Sequence, residues 1–446
     1  MEDNNRVLEG KVVRVFFTYT VPVILGLVAV SSAGIIDGIF LGHYVGTDGL
    51  TVVSICAPIL PFIVAFDILL STGGEVFCGK YIGEGKFKKA SQIFSMVSYL
   101  IWSINLIMMI LGLTFVDELA TFLGADQRIH AKVVDYLSVI IMCIPFLSSF
   151  GLSYFARVDG LPKRSSLSLI MTGVLNVILD YIFIGVLDWG VEGAAWGTSL
   201  SYLSIPILLM PHFFSKKGHL KYVLPNKHTW SVLKDIVYNG SSELLSEVSG
   251  GLLFYLTNIT MMKYYGTNGV AAYSVIGYLL YFNIMVCYGL SDGVKSIISI
   301  NYGAELFRRV AKMGRLAIAN VLVLGLVLVS LVVWHSDSLV LVFLKKSNTE
   351  VIALAQELVM MVWPALLFIG VNLILSSYFT AVHSPRPSLI ISLSRSLVLP
   401  IIFIIILTKF FKGEGVIYAL ILSEAITLLI GLFLLQKQGR LKALAT

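Results

Sequence analysis

The sequence predicts an all-α membrane protein of twelve transmembrane helices in two six-helix lobes, related by a parallel internal repeat. Three observations predict it. Of 446 residues, 57% are hydrophobic and only 13% are Asp, Glu, Lys or Arg, with a mean hydropathy of +0.89. A soluble domain carries about 25% charged residues, so a soluble enzyme and a disordered chain are both excluded. Twelve apolar runs follow one another, each long enough to cross a bilayer at about 1.5 Å per residue. Finally, residues 44–83 align without a gap to residues 264–303.

The first run, near 15–41, follows fourteen mostly polar residues and contains Pro22 and Asp37. It is too long for a signal core and ends without a small-residue cleavage site, so it reads as a retained helix. Runs near 50–72, 91–115, 132–155, 165–187 and 191–214 complete the first half. Asp135 opens the fourth, where a carboxylate suits the helix dipole. A polar, basic stretch at 215–232 links the halves, which makes residues 1–214 an N-lobe and 233–446 a C-lobe. Runs near 235–264, 269–302, 313–335, 351–381, 388–410 and 415–435 build the second half, with Glu357 opening the tenth.

Loop charge orients the chain. The side of the N-terminus holds Arg6, Lys11, Arg14, Lys80, Lys86, Lys88, Lys89, Arg157, Lys163 and Arg164. It also holds Lys216, Lys217, Lys221, Lys227, Arg308, Arg309, Lys312, Arg315, Arg386, Lys437, Arg440 and Lys442, which makes 22 of the 32 basic residues. The other side holds 7: Arg128, Lys132, Lys263, Lys345, Lys346, Lys409 and Lys412. That bias predicts a multi-pass protein of the cell (inner) membrane with both termini cytoplasmic. It explains the net charge of +6 without nucleic acid as a partner. Cys56, Cys78, Cys143 and Cys287 lie in or beside apolar runs and read as small hydrophobes.

The repeat carries eleven identities in 40 positions, among them Gly46/Gly266, Gly49/Gly269, Gly73/Gly293 and Gly83/Gly303. Six spans per half give both halves one orientation, so the repeats are parallel. Two such bundles across a cleft form a transporter architecture.

An ionisable side chain inside a span costs at least a few kcal/mol, so each is a functional candidate. Asp37 sits late in span one. Asn176 and Asp180, four apart, share a face of span five, and Thr198 begins span six. Two carboxylates with amide and hydroxyl oxygens form a hard-oxygen site for Na⁺, and the same pair could bind protons. The bland alternative is structural pairing with other helices. Pro22 removes a backbone hydrogen bond and predicts a kink, either a hinge or a fixed bend. Glu243 and Glu247 share a face of span seven. They form a possible second cation or substrate site, or reach a watery cleft mouth. Asp292 with Lys295 and Arg395 with Glu424 read as structural pairs, while Asp67 shows no mate. No GxxxxGK[ST] loop, HExxH or His/Cys cluster occurs, so neither an ATP-driven motor, a zinc enzyme nor any bound cofactor is expected.

A series of segments runs from Pro22 through DGIFLG at 37–42, GTDGLTVVS at 46–54 and GGEVFCGKYIGEGKFKKA at 73–90. LNVILDYIFIG at 175–185, GVEGAAWGTSLS at 190–201 and, in the second half, GTNGVAAYS, SINYGAELFRRV and RSLVLP at 395–400 continue it. In this order and spacing the sequence resembles the bacterial multidrug and toxic compound extrusion (MATE) transporters, nearer the DinF-like than the NorM-like branch. The resemblance implies an exporter of amphipathic organic cations, exchanged for Na⁺ or H⁺; the protein is expected to be a monomer and not an enzyme. It implies a cation site at Asp37, Asn176, Asp180 and Thr198 and a bending first helix at Pro22. Some members add a Glu in span seven, which either Glu243 or Glu247 matches. A lipid-linked oligosaccharide flippase of the same superfamily is the alternative; it needs a basic cleft, whereas the mid-span charges here are mostly acidic.

Overall fold

The computed structural model describes residues 7–215, 218–343 and 349–444. Of the basic residues used above, Arg6, Lys216, Lys217, Lys345 and Lys346 lie outside these, as do the side chains of Arg440 and Lys442. Among the described residues the chain is helical and without strands.

Among the described residues nine helices are long and apolar enough to cross a membrane, and a bent pair makes a tenth. Two of the nine each hold two spans, which gives the twelve expected. The first half comprises α1 (Val12–Val45), α2 (Thr47–Gly83), α3 (Phe87–Thr114), the bent α4 (His130–Met142 with Ile144–Val158), α5 (Pro162–Val186) and α6 (Gly190–Phe214). Leu233–Gly303 runs for 71 residues but turns at Gly266 (φ 62°, ψ −153°), which separates α7 (233–265) from α8 (267–303). Then come α9 (Phe307–Phe343) and α10 (Thr349–Ala381). Lys412 (φ 50°) parts α11 (385–411) from α12 (Gly415–Leu444).

Local chemistry sets these boundaries. The 50° bend of α4 falls at Cys143–Ile144, beside Pro145, whose missing N–H breaks the ladder. By contrast α1 continues as helix through Pro22 from Val12 to Phe40. The two repeats use the same turn chemistry. Gly46 (φ 83°, ψ −158°) separates α1 from α2 as Gly266 separates α7 from α8. Gly85 and Glu305, also 220 apart, both take positive φ in the tight turns into α3 and α9. Those turns close with matching bonds, Lys86 N–H to Tyr81 O at 2.7 Å and Leu306 N–H to Asn301 O at 2.9 Å.

Among the described residues the halves pack most closely at the end that holds the termini. Near the termini, α2 packs along α7 and α8, and α1 along α8. There Gly83 lies against the backbone of Ile300 and Gly303 against that of Lys80, a contact with no room for a side chain. One continuous apolar core joins both halves at this end, from Phe16, Phe77 and Phe94 to Ile297, Leu373 and Phe379. At the opposite end the first half keeps a separate core of Leu41, Val52, Ile63, Leu137 and Ala195. Gly34, Gly38, Gly250 and Gly251 have open space beside them there. The molecule is therefore closed at the termini and open at the far end.

The described part of the linker, 218–232, is held by hydrogen bonds to the first half. It lies along α3: Ser91 Oγ donates to His219 O (2.8 Å), and Val223 N–H donates to Ser95 Oγ (2.8 Å). Asp159 caps it, accepting from His219 N–H (2.9 Å) and pairing with His212 Nε2 (2.6 Å).

Candidate cation-binding site

Four of the singled-out residues converge in the first half, at its open end. Thr198 Oγ1 donates to Asp37 Oδ2 (3.1 Å), and Asn176 Nδ2 donates to Thr198 Oγ1 (3.4 Å). The carboxyl groups of Asp180 and Asp37 face each other at interaction range. Helix geometry brings them together. Asp37 is one turn before the π-helical segment Leu41–Val45, and Asp180 is the last residue before another, Tyr181–Val186. Such π segments recur at functional sites, because the extra residue per turn re-aims side chains. Gly173 lets α5 approach the Ala29 backbone of α1, and Gly197 leaves the space that the Asp180 carboxylate fills against α6.

The donor balance is short. Asp37 Oδ1, Asn176 Oδ1 and both Asp180 oxygens are buried without a hydrogen bond among the described residues. Buried oxygens are normally satisfied, so four orphans in one place call for a cation or protons. Their chemistry fits Na⁺, a hard ion that takes oxygen ligands. Tyr136 of α4 and Tyr202 of α6 stand within electrostatic range of Asp37. Their aromatic positions gave no signal in the sequence, since packing tyrosines look the same.

The two glutamates of α7 differ in surroundings. Glu243 Oε1 accepts from Lys295 Nζ at 2.9 Å, whereas Glu247, one turn nearer the open end, has no ion pair or hydrogen bond among the described residues. Lys295 also pairs with Asp292 (3.1 Å), as its spacing of three foretold. Two first-half residues join them: Arg157 Nη2 lies 3.7 Å from Asp292 Oδ2, and Arg157 Nε lies 3.8 Å from Glu75 Oε1. Glu75 also accepts from Ser296 Oγ of α8. The links of Glu75 and Arg157 to this cluster were missed, although a signal existed. The offset of 220 places Glu75 opposite Lys295, so the repeat puts opposite charges at equivalent positions about its axis.

Three other buried ionisable residues have partners within their own half. Arg395 binds Glu424 Oε1 through Nε (3.2 Å) and Nη2 (3.2 Å), and Asn372 Nδ2 donates to Glu424 Oε2 (2.7 Å). Asp67, which had no evident mate, accepts from Asn105 Nδ2 at 2.8 Å.

Two parallel six-helix halves, joined at one end and holding unsatisfied carboxylates at the other, define a polytopic membrane protein of transporter architecture. The sequence model of the MatE family matches residues 22–182 and 247–406, and the chain belongs to that family. It is 24% identical over 429 residues to the multidrug export protein MepA of Staphylococcus haemolyticus, covering 96% of this chain and 94% of that protein. MepA of Staphylococcus aureus (strain MSSA476) is also 24% identical, over 94% and 92%. The fold matches the outward-facing conformation of a multidrug resistance MATE family transporter of the MOP superfamily, with a TM-score of 0.91 and 21% identity over 99% and 98% of the chains. It also matches a MOP superfamily transporter from Pyrococcus furiosus, described as having a binding pocket of reverse polarity, with a TM-score of 0.89 and 20% identity over the same shares.

Proposed function

We propose that this protein is a secondary active multidrug exporter that moves amphipathic organic cations out of the cell in exchange for Na⁺ or H⁺. The observation that carries the reading is the set of orphaned oxygens on Asp37, Asn176 and Asp180 beside Thr198, at the open end of one half. The export names of the MepA relatives support the direction and the breadth of substrate.

The geometry supports the following cycle. With the far end open, Asp37 and Asp180 take up the coupling ion. Neutralising them removes negative charge from the cleft and stabilises a rearranged α1, with Pro22 as its hinge, so an organic cation is released. The halves then rock, the ion leaves on the other side, and a new substrate enters. Exchange requires each ligand to favour a different state, since equal affinity shifts nothing. Residues 1–214 and 233–446 move as the two lobes, joined by the linker at 215–232. Both termini face the cytoplasm, where basic loops are retained, and the unit is a monomer.

The flippase alternative needs free basic groups for a diphosphate. Here Arg157, Lys295 and Arg395 each sit beside carboxylates, while Asp37, Asp180 and Glu247 have no ion-pair partner among the described residues. That balance favours a cationic substrate.

Purified protein in proteoliposomes, given a Na⁺ gradient or a pH gradient separately, tests the reading by ethidium export. Export under one gradient, abolished in Asp37→Asn and Asp180→Asn, is the expected result. Folded protein that exports under neither gradient overturns it and moves the weight to lipid-linked substrates.

A further inference from the structure

Arg157 is an unusual buried arginine. Its side chain is 1% exposed, yet Nε and Nη2 donate no hydrogen bond among the described residues. Nη1 reaches only Ser153 Oγ at 3.4 Å, and the Tyr154 ring lies 4.3 Å from the guanidinium carbon. Its carboxylate contacts, at 3.7 and 3.8 Å, are about 1 Å longer than a charge-assisted hydrogen bond. Arg395, the structural arginine of the second half, engages one carboxylate oxygen twice at 3.2 Å. A guanidinium kept for stability alone would be saturated in that way, because leaving it unsatisfied in a dry site is costly.

The charges divide unevenly between the halves. The first half contributes Glu75 and Arg157, which cancel. The second contributes Asp292, Glu243 and Glu247 against the single Lys295, a formal charge of −2. Contact between the halves at the termini end presses Arg157 onto Asp292. Parting them there carries Arg157 away on α4 and leaves the acidic face of α7 and α8 short of a cation, now open to the side of the termini.

We propose that Arg157 is a tethered resident cation: when the termini end is closed it sits against Asp292, on an acidic face that also carries Glu243 and Glu247, and an organic cation takes its place when that end opens. The tyrosines beside this face, Tyr154 at Arg157 and Tyr288 within range of Glu243, Glu247 and Asp292, supply aromatic surface for such a cation. Return of Arg157 on closure then displaces the substrate toward the far opening. The exchange gives the two lobe arrangements the difference in substrate affinity that export requires. The inference rests on the organic-cation reading above.

Ethidium fluorescence titration of purified, monodisperse protein tests it without any gradient. Arg157→Gln should bind ethidium about tenfold more tightly than wild type, within the usual range of a coupling between two sites. Arg157→Lys, which keeps a cation, should bind like wild type. Asp292→Asn should bind more weakly, and adding Arg157→Gln to it should restore no affinity, since competitor and substrate share that carboxylate. A structural arginine would instead give a less stable protein with unchanged or weaker binding, and that result in Arg157→Gln overturns the proposal. If Arg157→Gln does not fold, an unchanged ethidium affinity in Asp292→Asn overturns it equally. Wild type that binds no ethidium sinks the organic-cation reading together with this one. Wild type that binds ethidium while Arg157→Gln binds no tighter sinks this inference alone.

Discussion

Gly46 and Gly266 hold the same backbone conformation at the same turn of the two repeats, φ 83° with ψ −158° and φ 62° with ψ −153°. That region is essentially closed to residues with a Cβ. No neighbouring atom lies within 4 Å of either position, so the restriction is purely one of backbone strain. Gly46→Ala and Gly266→Ala should each lose about 1–3 kcal/mol, the usual cost of such a conformation. Gly277, inside α8 and equally open, is the control: Gly277→Ala should keep or raise the midpoint of thermal unfolding in detergent. Equal effects at all three positions would remove the strain argument.

Arg395 and Glu424 bind through two guanidinium nitrogens, and Asn372 completes the carboxylate. Glu424→Ala strands a buried guanidinium and should cost about 3–5 kcal/mol. Replacing both partners with methionine should cost much less, because no charge is left unpaired. Thermal melts of the two variants separate the outcomes, and a single variant no worse than the double would contradict the pairing.

Much of this site was legible because lipid makes charge expensive. A short census of mid-span ionisable groups already contained Asp37, Asp180, Glu243, Glu247, Arg395 and Glu424, and helical spacing put Asn176 beside Asp180. The repeat was legible because turns need glycine at fixed places. What stayed hidden depended on contacts far apart in sequence. Asn105 meets Asp67 across 38 residues, and Arg157 meets Asp292 only because α4 and α8 cross at the seam. The choice between Glu243 and Glu247 was likewise open, since spacing fixes a shared face but not which residue meets Lys295 on another helix.

Asp67 and Asn105 tie α2 to α3 inside the first half. Asn105→Ala leaves the carboxylate buried without its donor and should lower stability by about 1–3 kcal/mol. Asp67→Asn keeps a hydrogen-bonding amide in place and should cost less. The midpoint of thermal unfolding ranks the two, and the reverse order would mean that the Asp67 charge has another partner.

Gly83 and Gly303 bring α2 and α8 into backbone contact at the closed end. A methyl group at 303 meets the Lys80 backbone, which cannot give way as a side chain can. Gly303→Ala should therefore weaken closure at the termini and shift the population toward the opposite opening. Spin labels at the exposed, repeat-related Phe62 and Phe282 should report a shorter distance in this variant. An unchanged distance distribution would show that the seam does not set the equilibrium.

His219 ties the linker to α3 by stacking on Phe87 at a centroid distance of 4.3 Å, while its backbone N–H donates to Asp159. Half-burial of the imidazole lowers its pKa from the ordinary 6.5, with the nearby Asp159 pulling the other way. The docked state thus binds fewer protons than the undocked one. Stability from the docked ring is fully present above pH 6.5 and declines as the pH falls below it, until the docked histidine itself protonates. Wild type should lose thermal stability across that window. His219→Phe keeps the stacked ring and the backbone bond without a titrating group, so its stability should follow pH less steeply between 6.5 and the lower limit. Parallel pH profiles for the two proteins would rule out His219 as the group responsible.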